Sequence, residues 1–334
     1  NEGDGIFADI TRAVGLYNEQ GRQLGVVFGD YDSDGDADLY IANDMKANFL
    51  YRNDRAEGFA EVGLNAGVAL SENARPEAGM GTDFGDYDRD GDLDIVVCNF
   101  QWEVARLHRN DGDGTFADLS FASGLGEPTL ATLGFGTDFL DYDNDGDLDL
   151  YLANGHVHPE VHTFDRAASY SQPDQIFCND GSGNFVEVKE EQGLQRMPTG
   201  VGRGAAFADI DNDGDLDAFV SNNNQRGFLL RNDGGNRNHW IAVRTLGRVS
   251  NRDGIGAMVK VMSGDLVQVE EVRSGTGYLS QNDLRLYFGL GQQKKVDRVE
   301  IRWPSGIVQT LTDVEINRIH QVEEPLPAGQ SGSS

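Results

Sequence analysis

Short apolar runs of four to seven residues, separated by turns rich in Gly, Asp and Asn, make up most of the chain. Runs of that length with that punctuation read as β-strands, and no long stretch carries a helical period. The spacing is regular. GVVFGDYDSDGDADLYIAN (25–43), GTDFGDYDRDGDLDIVVCN (81–99), GTDFLDYDNDGDLDLYLAN (136–154) and GAAFADIDNDGDLDAFVSN (204–222) share one register: strand, D-x-D-x-D-G-D-x-D loop, strand. A second signature follows each: NFLYRND (48–54), ARLHRNDGDGTFADL (105–119), DQIFCNDGSGNFVEV (174–188) and GFLLRND (227–233). One unit thus holds about four short strands, the content of a propeller blade. The units lie around 25–80, 81–135, 136–203 and 204–235, within a repeat region of 1–235. The third carries an insertion, GHVHPEVHTFDRAASYSQPDQ (155–175). An inserted loop of this length in a compact domain is often functional.

The chain opens on NEGDGIFADITRAVGL (1–16), which matches the second half of a unit (110–125), while the fourth unit lacks that half. Residues 1–24 are expected either to close the last blade with its missing outer strand or to be donated to a neighbouring copy. Trimming from a longer chain with blades upstream explains the same pattern. Ring closure removes the open edges that a sheet must otherwise protect. From Asn236 the Asp loops stop. HWIAVRTL, AMVKVM, LVQVEEV, LRLYFGL and VDRVEIRW alternate apolar and polar positions, as half-buried antiparallel strands do. They predict a second, β-sandwich-like domain over 236–324, followed by a flexible tail, 325–334. The expected fold class is therefore all-β, a propeller of four readable units and a small β domain.

Charge narrows the partners. Lys and Arg total 27 against 56 Asp and Glu, a formal net charge of -29. A nucleic-acid backbone and an anionic membrane surface are both disfavoured, and divalent cations and basic surfaces are favoured. No apolar run is long enough to span a bilayer, and no signal peptide is present. Residue 1 is Asn, so a processed or trimmed chain is expected. Cys98 lies in an apolar run where the other copies have Ala42, Ala153 and Ser221, which favours a buried thiol. A disulfide to Cys178 stays open.

The loops carry the chemistry. Five acidic side chains within nine residues repel one another unless a cation sits among them. Asp oxygens suit Ca²⁺, which takes six to eight oxygen ligands. Positions 1, 3, 5 and 9 offer carboxylates, Gly at 6 makes the turn, and position 7 offers its carbonyl. The candidate ligands are Asp30, Asp32, Asp34, Asp36 and Asp38; Asp86, Asp88, Asp90, Asp92 and Asp94; Asp141, Asp143, Asp145, Asp147 and Asp149; and Asp209, Asp211, Asp213, Asp215 and Asp217. About four Ca²⁺ ions are expected. An EF-hand needs a Glu at position 12, but Ile41, Val97, Leu152 and Val220 stand there. Each loop therefore leads into a buried strand, and metal binding should stiffen a blade. Mg²⁺ prefers to keep its waters, and Zn²⁺ favours His or Cys.

With these loops the four units resemble the FG-GAP/VCBS calcium-binding repeats of integrin-type propellers. NHWIAV (238–243), SNRDGIGAMVKV (250–261), SGTGYLSQND (274–283), LYFGLG (286–291) and VDRVEIRWPSG (296–306) resemble the ASPIC/UnbV domain that follows such repeats in the cartilage acidic protein-like family. The resemblance implies an extracellular or cell-surface protein, with the periplasm as the bacterial equivalent, and no settled activity. Family propellers usually have about seven blades, against four readable here.

Other constellations are weaker. His156, His158, Glu160 and His162 share the inserted loop and can be read as a transition-metal site or as acid/base groups. A plain surface loop is the simpler reading. His108, His239 and His320 read as structural, Trp102 as a linker residue, and RSGTGYLSQND (273–283) as the best binding surface of the second domain. No catalytic constellation is complete. The expected function is that of an extracellular, calcium-stabilised structural or adhesion protein. Its partners are proteins or glycans outside the cell, or further copies in an oligomer or filament. A sugar-active lyase or isomerase, or a carbohydrate-binding module, is the alternative.

Overall fold

The computed structural model describes residues 5–189 and 197–327. The expected tail falls largely outside them, as do Asn1–Asp4. Each repeat folds into its own antiparallel sheet, because each apolar run is too short for anything but a strand and each Asp-Gly loop reverses the chain. The first sheet is β1 (Gln23–Gly29), β2 (Asp38–Asn43), β3 (Phe49–Asn53) and β4 (Phe59–Glu61), in that order. The second is β5 (Thr82–Gly85), β6 (Asp94–Val97), β7 (Arg106–Asn110) and β8 (Phe116–Asp118). In the third unit come β9 (Gly134–Leu140), β10 (Asp149–Asn154), β11 (Gln172–Pro173), β12 (Gln175–Asn179) and β13 (Phe185–Glu187). Its sheet runs β13-β12-β10-β9, while β11 of the insertion pairs with β14 (Thr199–Gly200). The fourth sheet has three strands, β15 (Gly202–Ala208), β16 (Asp217–Asn222) and β17 (Phe228–Leu230).

The first strands of successive sheets, β1, β5, β9 and β15, lie side by side, so the blades follow one another in chain order. The register repeats: Phe84 pairs across with Ile95, and Phe139 with Leu150. The aromatic face of one blade meets the next. Tyr40 stands edge-on to Phe84 at 6.5 Å, and Tyr151 edge-on to Phe207 at 5.2 Å between ring centroids. At the ends of the series the equivalent rings lack this cover: Phe28 is 50% exposed and Phe219 51%.

The opening segment does not form the expected closing strand. Residues 5–22 contain no strand, and β17 remains an edge of the fourth sheet. Val14 O instead accepts from Phe59 N at 2.7 Å, and Leu16 packs with Phe59 against Leu39, Ile41, Phe49 and Tyr51. The second unit does the same, Ser123 O accepting from Phe185 N of the third at 2.6 Å. This part of the repeat grips the blade that follows it in the chain, which fixes residues 14–16 against the first blade.

The second domain is a sandwich, built from β18 (His239–Leu246), β19 (Met258–Ser263), β20 (Leu266–Glu271), β21 (Leu286–Gly291), β22 (Arg298–Arg302), β23 (Val308–Leu311) and β24 (Arg318–Glu323). The sheet β21-β18-β24 faces the sheet β20-β19-β22-β23. Ile241, Val243, Val259, Val261, Phe288, Ile301 and Trp303 fill the core between them. One pair departs from the antiparallel expectation: β18 and β24 run parallel, their register starting at Ile241 and Arg318. Alternation alone gives the buried face of a strand and not its direction.

The two domains are docked. Gly277 bridges to Thr82, Asp283 N donates to Phe207 O at 2.9 Å, and Arg302 Nη2 donates to Asp30 Oδ2 at 2.7 Å. Gly214 shows how close the approach is. A Cβ there would lie 1.8 Å from the Trp240 ring, and its φ of +103° favours glycine as well.

Candidate metal centres

The four loops adopt one geometry. The position-1 carboxylate takes the N–H of the loop glycine on Oδ2: Gly35 to Asp30 at 3.0 Å, Gly91 to Asp86 at 3.1 Å, Gly146 to Asp141 at 2.9 Å and Gly214 to Asp209 at 3.0 Å. The position-9 Asp is buried in every copy and takes two backbone N–H groups. Asp94, for example, accepts from Tyr87 N at 3.2 Å and Asn110 N at 2.8 Å. These bonds tie the loop to the third strand of its own blade.

The structure gathers Asp30, Asp32 and Asp38; Asp86, Asp88 and Asp94; Asp141, Asp143 and Asp149; and Asp209, Asp211 and Asp217, with one oxygen of each triad member within 4.8 Å of the others. These are positions 1, 3 and 9. Position 5 stands apart from the triads, its Oδ1 accepting the position-7 N–H: Asp36 to Asp34, Asp92 to Asp90 and Asp147 to Asp145 at 2.9 Å, and Asp215 to Asp213 at 3.4 Å. The position-7 side chains turn to other partners. Asp36 pairs with Arg55, Asp147 with Arg89 at 3.0 Å, and Asp215 takes Asn236 N at 3.2 Å.

The donor set fits a hard cation. Asp30 Oδ1, Asp86 Oδ1 and Asp143 Oδ1 are buried without a hydrogen-bond partner, and a buried carboxylate oxygen left unpaired is costly. Burial, with neighbouring carboxylates adding to it, pushes Asp38 up to about 8, Asp86 to about 7, Asp94 to about 9 and Asp143 to about 6. Asp141 and Asp149 are raised well above the usual range for the same reason. Such groups either hold protons or share a cation. All gathered ligands are oxygens, the set Ca²⁺ prefers.

Elsewhere the candidates separate. Among the described residues, groups of three or more His, Cys, Asp or Glu ligands come together only at the four loops. His156 is buried, and its Nδ1 accepts from His158 N at 3.0 Å; His162 faces only Glu160, at 3.9 Å. Cys98 and Cys178 are free thiols, Cys98 buried as its apolar setting implied. His108 is buried, which lowers it to about 4.

The segment 273–283 is a docking surface inside the molecule rather than a free one. Arg273 lies 3.6 Å from the buried Asp83, and Asn282 bridges Asp138 Oδ1 at 2.9 Å and Phe207 N at 3.0 Å. Among so many loop carboxylates, Asp83 and Asp138 do not stand out in the sequence. Their signal was available: the same strand position is Val27 and Ala206 in the other copies. The Asn that stands in RND in three copies and in CND in the third is equally inconspicuous in the sequence. Asn179 Nδ2 donates to Leu148 O at 3.1 Å in its own blade and to Tyr87 O at 2.8 Å in the preceding one.

Blades joined in series, each carrying an Asp triad that could hold a cation, define a repeat propeller with an appended β-sandwich. The chain belongs to the FG-GAP-like repeat family, whose profile matches 30–97, 86–152 and 154–220. A second profile, ASPIC and UnbV, matches 247–327. Cartilage acidic protein 1 of Xenopus tropicalis is 24% identical over 331 residues, covering 96% of this chain and 48% of that protein. Its human counterpart is 26% identical over 337 residues, covering 96% and 47%. The chain spans about half the length of these curated relatives. Of solved structures, the Dos1 propeller is 12% identical with a TM-score of 0.34, over 83% of this chain and 65% of that one.

Proposed function

We propose that this protein is an extracellular, calcium-stabilised scaffold for protein–protein contacts, including contacts between its own copies. The observation that carries the reading is the fourfold recurrence, between the first two strands of a blade, of an Asp triad with two of its three members buried. Calcium supplies the positive charge that lets those carboxylates sit together. Positions 1, 3 and 9 would hold it, with the position-7 carbonyl and water completing a set of six to eight. A rigid, acidic surface presented by such blades suits basic protein partners. Family membership and the resemblance to cartilage acidic protein 1 support an interaction role outside the cell.

The test has two arms. A chelator lowers the melting temperature, since each site occupied at a hundredfold over its Kd contributes about 2.7 kcal/mol; a melting curve unmoved by EGTA defeats the calcium reading. Surfaces coated with the chain retain extracellular-matrix proteins in Ca²⁺ and release them in EGTA. Retention no better than an acidic control protein of matched charge defeats the scaffold reading.

A further inference from the structure

The insertion of the third unit folds beside residues 99–103, where its Asp165 meets the exposed Trp102 and the neighbouring Phe164 is exposed as well. Trp102 is 54% exposed and Phe164 69%. Asp165 Oδ2 accepts from Trp102 Nε1 at 2.9 Å and from Gln101 Nε2 at 3.5 Å, while its Oδ1 accepts from Ala167 N at 2.9 Å. The indole is therefore held in place although its face is in water. Its backbone is also unusual, with φ at +71°, fixed by the Trp102 N–H donating to Leu130 O at 2.8 Å. A bulky residue in the left-handed region costs about 1–3 kcal/mol and persists where the surroundings impose it, often at functional sites.

A ladder of rings ties Phe164 back to the second blade. Phe164 stands 6.0 Å from His158, His158 5.6 Å from His156, and His156 5.4 Å from Phe100. This is a structural use for the histidines of the insertion. The Asp165 carboxylate, with the Gln101 amide on it, edges the indole, and the exposed Glu160 and His162 lie on the same insertion.

A small apolar plate edged by hydrogen-bonding groups matches a pyranose, which has C–H faces and hydroxyls around its rim. A protein interface of standard size buries about 800 Å² per partner around an apolar centre, whereas this indole is bordered by the Asp165 carboxylate. A carboxylate offers about four lone-pair sites, so Asp165 keeps capacity for a sugar hydroxyl. The chain's net charge of -29 disfavours sulfated or uronic sugars. We propose that Trp102, Phe164 and Asp165 form a binding platform for neutral pyranosides, with the sugar stacked on the indole and hydrogen-bonded to Asp165. This goes beyond the protein-scaffold reading and does not rest on it.

Tryptophan fluorescence tests it directly, because Trp240 and Trp303 are buried and Trp102 is the exposed one of three. In saturating Ca²⁺, a panel of neutral α- and β-linked trisaccharides, cellotriose and chitotriose among them, is titrated into the full chain. At least one is expected to shift the emission saturably, near 1 mM or tighter, and to protect Trp102 from acrylamide. Trp102→Ala abolishes the shift, and Phe164→Ala weakens it tenfold or more, both with an unchanged melting temperature. Asp165→Asn keeps the fold and weakens binding, which leaves a readout if Trp102→Ala misfolds. The absence of a saturable shift at tens of millimolar of every sugar overturns the proposal. So does a shift that survives Trp102→Ala, or a blue shift that appears with protein concentration alone, which would assign the rings to contact between copies.

Discussion

At the residue scale, the position-9 Asp and the RND Asn explain how a cation site becomes part of a blade. Asp149 takes Tyr142 N at 3.1 Å and Asn179 N at 2.8 Å, so the same carboxylate joins loop, strand and triad. Asn179 then carries the connection into the preceding blade. Removing its side chain leaves two buried carbonyls without that donor, and an unmade buried hydrogen bond costs about 1–3 kcal/mol. Asn179→Ala is therefore expected to lower unfolding free energy by about that amount in denaturant titrations, and the equivalent Asn53→Ala by less. Asn53 Nδ2 has a carbonyl only within its own blade, Ala37 O at 3.1 Å. Asp88→Ala removes one triad ligand and is expected to reduce calorimetric Ca²⁺ stoichiometry by one while the other loops still bind. The position-5 and position-9 assignments were equivalent in the sequence. Only coordinates show that position 9 joins the triads and position 5 braces the loop.

At the element scale, blades depend on one another. A four-stranded sheet of such short strands has too little core of its own, and the aromatic of each first strand is buried by the blade before it. Phe84 is fully buried in the cluster with Tyr40, Val68 and Ile95. Phe84→Ala is expected to cost about 3–5 kcal/mol, while Phe28→Ala in the same repeat position, half-exposed, stays within about 0.5 kcal/mol in this chain. Matching losses at both positions would show that the first blade is covered in solution. These strands were legible because period and turn chemistry agree at every copy. The grip of residues 5–16 on the first blade was not, since Val14 O to Phe59 N is a contact between units that repeat similarity alone assigns equally well to closing a blade.

At the scale of the whole molecule, docking rests on a buried polar cluster. Asp83 and Asp138 lie close to each other beneath Arg273, with Glu270 and Glu271 on the same side of the second domain. Asp83 is raised by burial, against the pull of Arg273; Asp138 is raised by burial and by the charge on Asp83. A carboxyl raised in the folded state binds its proton more tightly there than in the unfolded chain. Its contribution is then complete below the ordinary carboxylate range near pH 4 and is lost as pH rises through the folded value. In saturating Ca²⁺, Asp138→Asn, which can still accept from Asn282, should therefore raise the melting temperature more at pH 8 than near pH 5. Parallel curves for the two proteins across that range would show that the pair carries no proton.

What the sequence determined by itself follows from local chemistry. Apolar runs of strand length, Asp-Gly reversals at fixed offsets and unscreened carboxylates specify blades, their boundaries and a demand for cations, because each depends on neighbours within about ten residues. Tertiary structure decided what depends on distant neighbours. It chose which three of five loop carboxylates meet, and which way residues 14–16 pack. It turned 273–283 inward onto Asp83 and Asp138, and it put Trp102 in water beside Asp165, 63 residues along the chain. Those outcomes arise from burial and pairing between separate units, and the linear order of residues carries no distance between them.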